Sequence, residues 1–352
     1  PNVSFGPNSD GGTSSVIPNW MKPRPINKAN NLEIFVFPLT LPSPCLHYFF
    51  YIYVYCSFSQ VSISEFMINI HLKLIAMGVL WASSYPLGRY LAVYDAPQVI
   101  TAFRAFVAFV ILALVAHFRG QLKIKWTRQL FYQIILLGVC GFCIHNFLMF
   151  SALEHTHAGT GAVINGAIPV LVICADYLFF RHKVKRKTVI GIMLSFLGTI
   201  IVVTHGDLFG VFNKGVGLGE GLFLIAILGW TGYTIFGRAP LASYPALTIT
   251  AYSCLAGGIL MLPLVVSDLP AVFRLLGEGQ NIFILTAQGV LTMGVGFLWY
   301  YEGIQKLGPA TASIYLNLVP VLGVVLALLI LGEIPGVDLL VGGSLVVGGL
   351  LL

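Results

Sequence analysis

Two sets of side chains, both buried in apolar runs, are where this sequence could do chemistry. Asn165 stands four residues before Pro169, and Asn317 three residues before Pro320. A proline removes the donor that would have met a carbonyl one turn earlier, so each amide lies about a turn from a freed carbonyl. Amide and carbonyl together can hold a polar solute. The same residues also read as an interhelical hydrogen bond beside a kink, and Pro169 and Pro320 can act as gating hinges in either reading. The second set is aromatic: Trp81 with Tyr85, Trp230 with Tyr233, Trp299 with Tyr300, and Tyr315. Trp81 and Tyr85 are spaced i, i+4 and Trp230 and Tyr233 i, i+3, which puts each pair on one helix face. Such faces can stack on a partly apolar solute, or they can pack as core aromatics.

Ionisable groups inside apolar runs are costly, and each is a site hypothesis. Arg104 can snorkel to the interface or pair with a carboxylate, or it can take part in coupling. His145 is the one imidazole in the middle of such a run and can relay a proton or sit neutral in the core. Glu302 follows Trp299, Tyr300 and Tyr301 and is the acidic candidate for coupling, ahead of Asp176, which also lies near the end of its run.

Bond-making chemistry finds no support. Cys140 and Cys143 form a lone Cys-x-x-Cys with no second pair, so the reading contains no metal site. The six cysteines show no framework spacing. Gly215, Gly217, Gly219 and Gly221 alternate without a preceding strand or a following Lys-Ser/Thr, which is not a phosphate loop. No nucleophile stands at helical spacing from a base on a wet face. The expectation is a non-enzyme without cofactors.

What must position these residues is set by composition. The chain of 352 residues is 57% hydrophobic and 9% charged, with a mean hydropathy of +0.90. A soluble fold could not cover that much apolar surface, so the solvent is lipid. The net charge of +6 does not indicate nucleic acid, because the basic residues sit in short connectors. Ten segments have roughly the 17 to 25 residues that cross a bilayer: 70–90, 97–117, 130–152, 158–180, 187–204, 218–238, 246–267, 281–304, 309–331 and 336–352, called segments 1 to 10 below. Only helices satisfy their own backbone in lipid, so the fold class expected is an all-α integral membrane protein. Trp81 and Trp230 lie about 12 residues into their segments, roughly 18 Å along a helix and near mid-membrane.

The segments repeat. Gly159–Gly198 aligns without a gap on Ala310–Gly349 at an offset of 151, pairing Thr160 with Thr311, Pro169 with Pro320 and Gly191 with Gly342. Trp81, Gly88 and Arg89 recur as Trp230, Gly237 and Arg238 at an offset of 149. Five segments per copy is an odd number, so the second copy enters from the opposite side, which gives two inverted five-helix repeats. With the N-terminus inside, the inner connectors hold eleven Lys and Arg, among them Arg181, Lys183, Lys185, Arg186 and Lys187, and the outer ones three: Arg89, Lys214 and Arg274. That bias puts both termini in the cytoplasm. Gly191 and Gly198 recur as Gly342 and Gly349, two turns apart on one face. They allow close helix approach, either between the halves or at a dimer seam, so the chain reads as a monomer or a homodimer.

The domain boundaries expected are 67–205 and 206–352 for the two repeats. Residues 1–66, which begin with Pro1 and mix a Gly, Ser, Asn and Pro stretch with the aromatic run His47–Tyr55, read as a non-native or disordered N-terminal extension. Pro38, Pro42 and Pro44 weaken an additional crossing there. Leu352 stops inside an apolar run, as in a chain truncated before its tail.

Duplicated tryptophans in segments 1 and 6, Arg104 early in segment 2, proline-centred segments 4 and 9 and glycine-rich segments 5 and 10 resemble the drug/metabolite transporter superfamily, in its EamA-type ten-helix form. The resemblance covers residues 70–352. It departs at the end of segment 4, where Phe180-Arg181-His182 stands against Leu331-Gly332-Glu333 in segment 9. What it implies is a carrier in the cell inner membrane, with a cavity formed chiefly by segments 1, 3, 4, 6, 8 and 9. The superfamily's phosphorylated-sugar exchangers use basic residues in segments 9 and 10, and this chain has none there. The substrate expected is therefore a small, partly apolar metabolite such as an amino acid or a drug-like compound, exported by alternating access. A membrane-embedded enzyme and a receptor or scaffold are the other classes. The first lacks paired His, Asp or Glu near an interface, and the second leaves the duplication without a functional reason.

Overall fold

Leucine, valine and alanine runs with few polar interruptions leave the backbone no partner but itself, and a computed structural model of the chain shows the result. It describes residues 70–180, 186–207 and 216–350, and among these every regular element is helical. Residues 1–66, and with them the expected extension, lie outside the described residues. Among the described residues, seven helices are long and apolar enough to cross a membrane: Pro97–Phe118, Arg128–Leu153, Ala158–Phe179, Leu218–Leu241, Ala246–Ser267, Gly279–Leu307 and Pro309–Leu331. These correspond to segments 2, 3, 4, 6, 7, 8 and 9. Segments 5 and 10 form shorter apolar helices, Val189–Val203 and Val337–Gly349. Segment 1 divides at Ser83 into Ile70–Ala82 and Ser84–Leu91.

Local chemistry sets the ends. Pro97 opens segment 2 in the first turn, where its missing donor leaves no carbonyl unpaired. Thr127 caps segment 3, its hydroxyl accepting from the Leu130 amide at 3.1 Å. Gly332 closes segment 9 at φ 70°, a left-handed conformation that glycine adopts without strain.

Besides the break in segment 1, four segments among the described residues depart from plain α geometry, and they do so in pairs. Segment 3 is π-helical over Val139–Asn146 and segment 8 over Gly289–Val295, with starts 150 residues apart. Segment 4 tightens between the helices Ala158–Asn165 and Ile168–Phe180, and segment 9 passes through a 3-10 turn, Tyr315–Asn317, before Leu318–Leu331. Each break falls just ahead of Pro169 or Pro320, so both prolines sit in the first turn of a new helix rather than in a helix interior.

The repeats pack on their own counterparts. Segments 2 and 7, 4 and 9, and 5 and 10 lie against each other. In the last pair, a Cβ on Gly198 would fall 2.4 Å from the Gly342 carbonyl oxygen, and one on Gly349 would fall 2.4 Å from that of Gly191. Early residues of one helix thus meet late residues of the other, so the two run antiparallel. Ser195 and Val346, 151 residues apart like the sequence repeat itself, meet through a hydroxyl that donates to the carbonyl at 2.9 Å. The glycine face of segments 5 and 10 is therefore used within the chain.

Gly198→Ala places its methyl group against backbone that cannot rotate away, and is expected to lower stability by about 1–3 kcal/mol. Gly348, in the same segment as Gly349, faces open space, and Gly348→Ala is expected to change stability by less than about 0.5 kcal/mol. Thermal midpoints of the two variants in detergent check the contrast.

Candidate functional site

Trp81 and Trp230, counterparts in the two repeats, meet edge to face with ring centroids 5.0 Å apart. Phe297 lies 5.6 Å from Trp81 and 5.0 Å from Trp230, and the His145 ring 4.7 Å from Trp230. These rings wall a cavity of about 30 Å³ whose lining also includes Tyr85, Arg104, Asn146 and Asn165. That volume holds roughly one water, so in this conformation the walls are closed on each other.

The polar groups at the cavity come largely from the irregular stretches. His145 and Asn146 end the π-helical part of segment 3. His145 Nδ1 lies 3.0 Å from the Ala226 carbonyl; since a carbonyl only accepts, Nδ1 carries the proton and Nε2 is the acceptor. Asn146 donates to the Gly141 carbonyl at 2.6 Å. Thr292 belongs to the π-helical part of segment 8. Its carbonyl accepts from Trp81 Nε1 at 2.8 Å and its hydroxyl from Arg104 Nη2 at 2.8 Å. The Arg104 guanidinium stands 4.7 Å over the Phe150 ring, and the residue as a whole is 2% exposed. Its Nε and Nη1, and the Oδ1 atoms of Asn165 and Asn317, have no hydrogen-bond partner among the described residues.

The sequence-predicted residues divide accordingly. Trp81, Tyr85, Arg104, His145, Asn165 and Trp230 line the cavity. Arg104 neither snorkels nor meets a carboxylate among the described residues, which corrects the structural reading of it. Tyr233 and Tyr300 stand behind the wall. Tyr233 stacks on Tyr301 at 4.7 Å and shares a hydrogen bond of 3.1 Å with Ser253, while Tyr300 bonds Thr234 at 2.9 Å. Trp299 packs half-buried on the core. Tyr315 is hydrogen-bonded to His71 and is not part of the lining, although its neighbour Leu316 is. Asn317, Pro169 and Pro320 are not among the lining residues; Pro320 packs on Gly166, joining segments 9 and 4. Glu302 is not among the lining residues, and its carboxylate is held by Lys73 at 2.6 Å. Asn146, Phe297 and Met149 line the cavity unpredicted. A second polar residue beside His145 in an apolar run was the available sign for Asn146.

A larger cavity of about 220 Å³ lies at the far ends of segments 4, 9 and 10, among His157, Thr160, His205, Glu333 and Asp338. Glu333 explains the asymmetric ending of segment 9: its oxygens lie 3.4 Å from the Ala158 and Gly159 amides, at the positive end of segment 4. His205 faces Asp338 at 3.2 Å and Glu220 at 3.7 Å. These acids are engaged by histidine rings and by helix-end amides, whereas residues lining the smaller cavity have buried polar atoms without partners among the described residues.

Just beyond segment 3, partial burial and then the neighbouring Asp95 charge push the Glu154 carboxyl up to about 7. Its proton is retained on folding between its ordinary value and about 7, so stability is present at low pH and lost as pH rises through that window. Glu154→Gln is expected to remove this loss, giving a higher thermal midpoint than wild type at about pH 7.5 and little difference near pH 5. Melting curves across that range check it.

Both halves of the chain match the model of the EamA-like transporter family, over residues 68–204 and 217–352. The Bacillus subtilis protein named uncharacterized transporter YyaM is 24% identical over 81% of this chain and 93% of its own. A protein of Streptantibioticus cattleyicolor named probable terminal-alkyne amino-acid exporter is 26% identical over 79% of this chain and 91% of its own. A solved crystal structure shares the fold with a TM-score of 0.61, at 19% identity, covering 80% of this chain and 94% of that one.

Proposed function

Because this chain belongs to the EamA-like transporter family, and is a multi-pass membrane transporter of small molecules, we propose that it exports amphipathic metabolites of the amino-acid class by alternating access. The observation that carries this reading is the closed cavity where Trp81 of one repeat meets Trp230 of the other. Rings supply contact for an apolar body, and the unpartnered Asn165 amide oxygen supplies an acceptor for its polar head. A site at the junction of two repeats can be exposed to either side by rocking one repeat on the other. The amino-acid class draws support from the exporter relative, whose name specifies an amino acid.

In this reading all ten segments cross the cell inner membrane as two inverted sets of five, with both termini in the cytoplasm. Lys73 and Glu302 then close the inner side, and the cavity bounded by His205, Asp338 and Glu333 forms the outer vestibule. His145, with an acceptor nitrogen beside Trp230, is the coupling group for protons.

Reconstituted protein is expected to show saturable counterflow of labelled neutral or aromatic amino acids. Trp230→Ala and Asn165→Ala should each lower the rate about tenfold, a loss of roughly 1.4 kcal/mol in binding or barrier. His145→Gln should abolish the response to a pH gradient, and Glu302→Gln should leave that response intact. Correctly folded protein that exchanges no member of a broad metabolite panel would rule the reading out.

A further inference from the structure

An arginine 2% exposed as a whole residue has surrendered its hydration, and in lipid-embedded protein that loss is several kcal/mol unless an anion or a full set of acceptors replaces it. Arg104 has neither. One of its nitrogens reaches a neutral hydroxyl, Thr292 Oγ1, and its face rests on Phe150. Nε and Nη1 are left without acceptors among the described residues, at the wall of the aromatic cavity. The acids that could have answered it are committed elsewhere: Glu302 to Lys73, Asp176 to Arg238, Glu333 to His157 and the start of segment 4.

The geometry points to Arg104 as the subsite for a carboxylate on the transported solute. Nη2 carries two hydrogens and gives only one to Thr292; the other, with the unpartnered donor on its side, Nε or Nη1, makes the planar fork that binds the two oxygens of a carboxylate side by side. Trp81, Trp230 and Phe297 then receive the solute's apolar body, and the Asn165 oxygen a donor such as an ammonium or hydroxyl. A compact phosphate would find one cation and an otherwise apolar and amide wall. A single carboxylate balances the single charge. This site rests on the carrier reading above, because a cavity of about 30 Å³ admits such a head only when its walls part. It gives Arg104 a recognition role rather than a packing role, and makes the substrate class organic acids, zwitterions included.

The test is binding to the intact chain in lipid nanodiscs in low-salt buffer, followed by quenching of tryptophan fluorescence. The ligands are L-phenylalanine, 3-phenylpropionate, L-phenylalaninamide and phenethylamine. The two acids are expected to bind at least about tenfold tighter than the amide and the amine, and Arg104→Gln should cut that preference to about twofold or less, with Arg104→Lys between. Should Arg104→Gln fail to fold, the acid-against-amide contrast in wild type and its erosion in Thr292→Ala, which frees the guanidinium, decide the matter. Equal affinity for acids and amides, or no binding of either acid, overturns the site. So does displacement of 3-phenylpropionate by tens of millimolar chloride, which would assign Arg104 to an inorganic anion. Counterflow of phenethylamine that survives Arg104→Gln sinks the carboxylate site and leaves the carrier reading standing. Acid-selective binding without any counterflow does the reverse.

Discussion

A polar atom at membrane depth has no water to fall back on, and that constraint organises this protein. Backbone groups meet it by forming helices, which is why every regular element among the described residues is helical. Side chains meet it in three ways. Some donate to a carbonyl of their own helix, as Thr234 does to Trp230 and Thr250 to Ala246. Some bridge helices, as Trp81 does to Thr292. A few find no complete set of partners among the described residues, Arg104 and Asn165 at the aromatic cavity and Asn281, Gln288 and Asn317 away from it. Each such atom opposes folding, and those of Arg104 and Asn165 belong to residues that border a void.

The duplication gives that cavity its position. Three counterpart pairs, segments 2 and 7, 4 and 9, and 5 and 10, pack on each other, and some residues meet their own equivalents: Trp81 meets Trp230, and Ser195 meets Val346. Segments 5 and 10 close on one another through glycines whose backbones nearly touch. That contact binds the halves at one edge, while the aromatic cluster fills the centre with bulky rings.

Hydropathy and the two internal offsets made the segments, the repeat and the glycine contact legible from residues alone, because lipid demands long apolar runs and close approach demands small side chains. Six of the fourteen site candidates, Trp81, Tyr85, Arg104, His145, Asn165 and Trp230, line the cavity. The other eight do not line it. Helical spacing puts Trp230 and Tyr233 on one face, but not which of them reaches the void; Tyr233 turns instead toward Tyr301 and Ser253. Glu302 looked free because its partner, Lys73, lies 229 residues away. Asn146 was hidden because helical periodicity assumes 3.6 residues per turn, and the stretch it ends does not keep to that.

Those widened turns in segments 3 and 8 carry a mechanical implication. A π turn holds about one residue more than an α turn. Were Val139–Asn146 or Gly289–Val295 to relax to regular winding, everything beyond would rotate by about 100° and slide by about 1.5 Å. Phe297 lies immediately past the second of these stretches, and Met149 and Phe150 just past the first. A single extra residue, moved along a helix like a ruck in a carpet, would swap which side chains look inward without breaking a lipid-facing hydrogen bond for long.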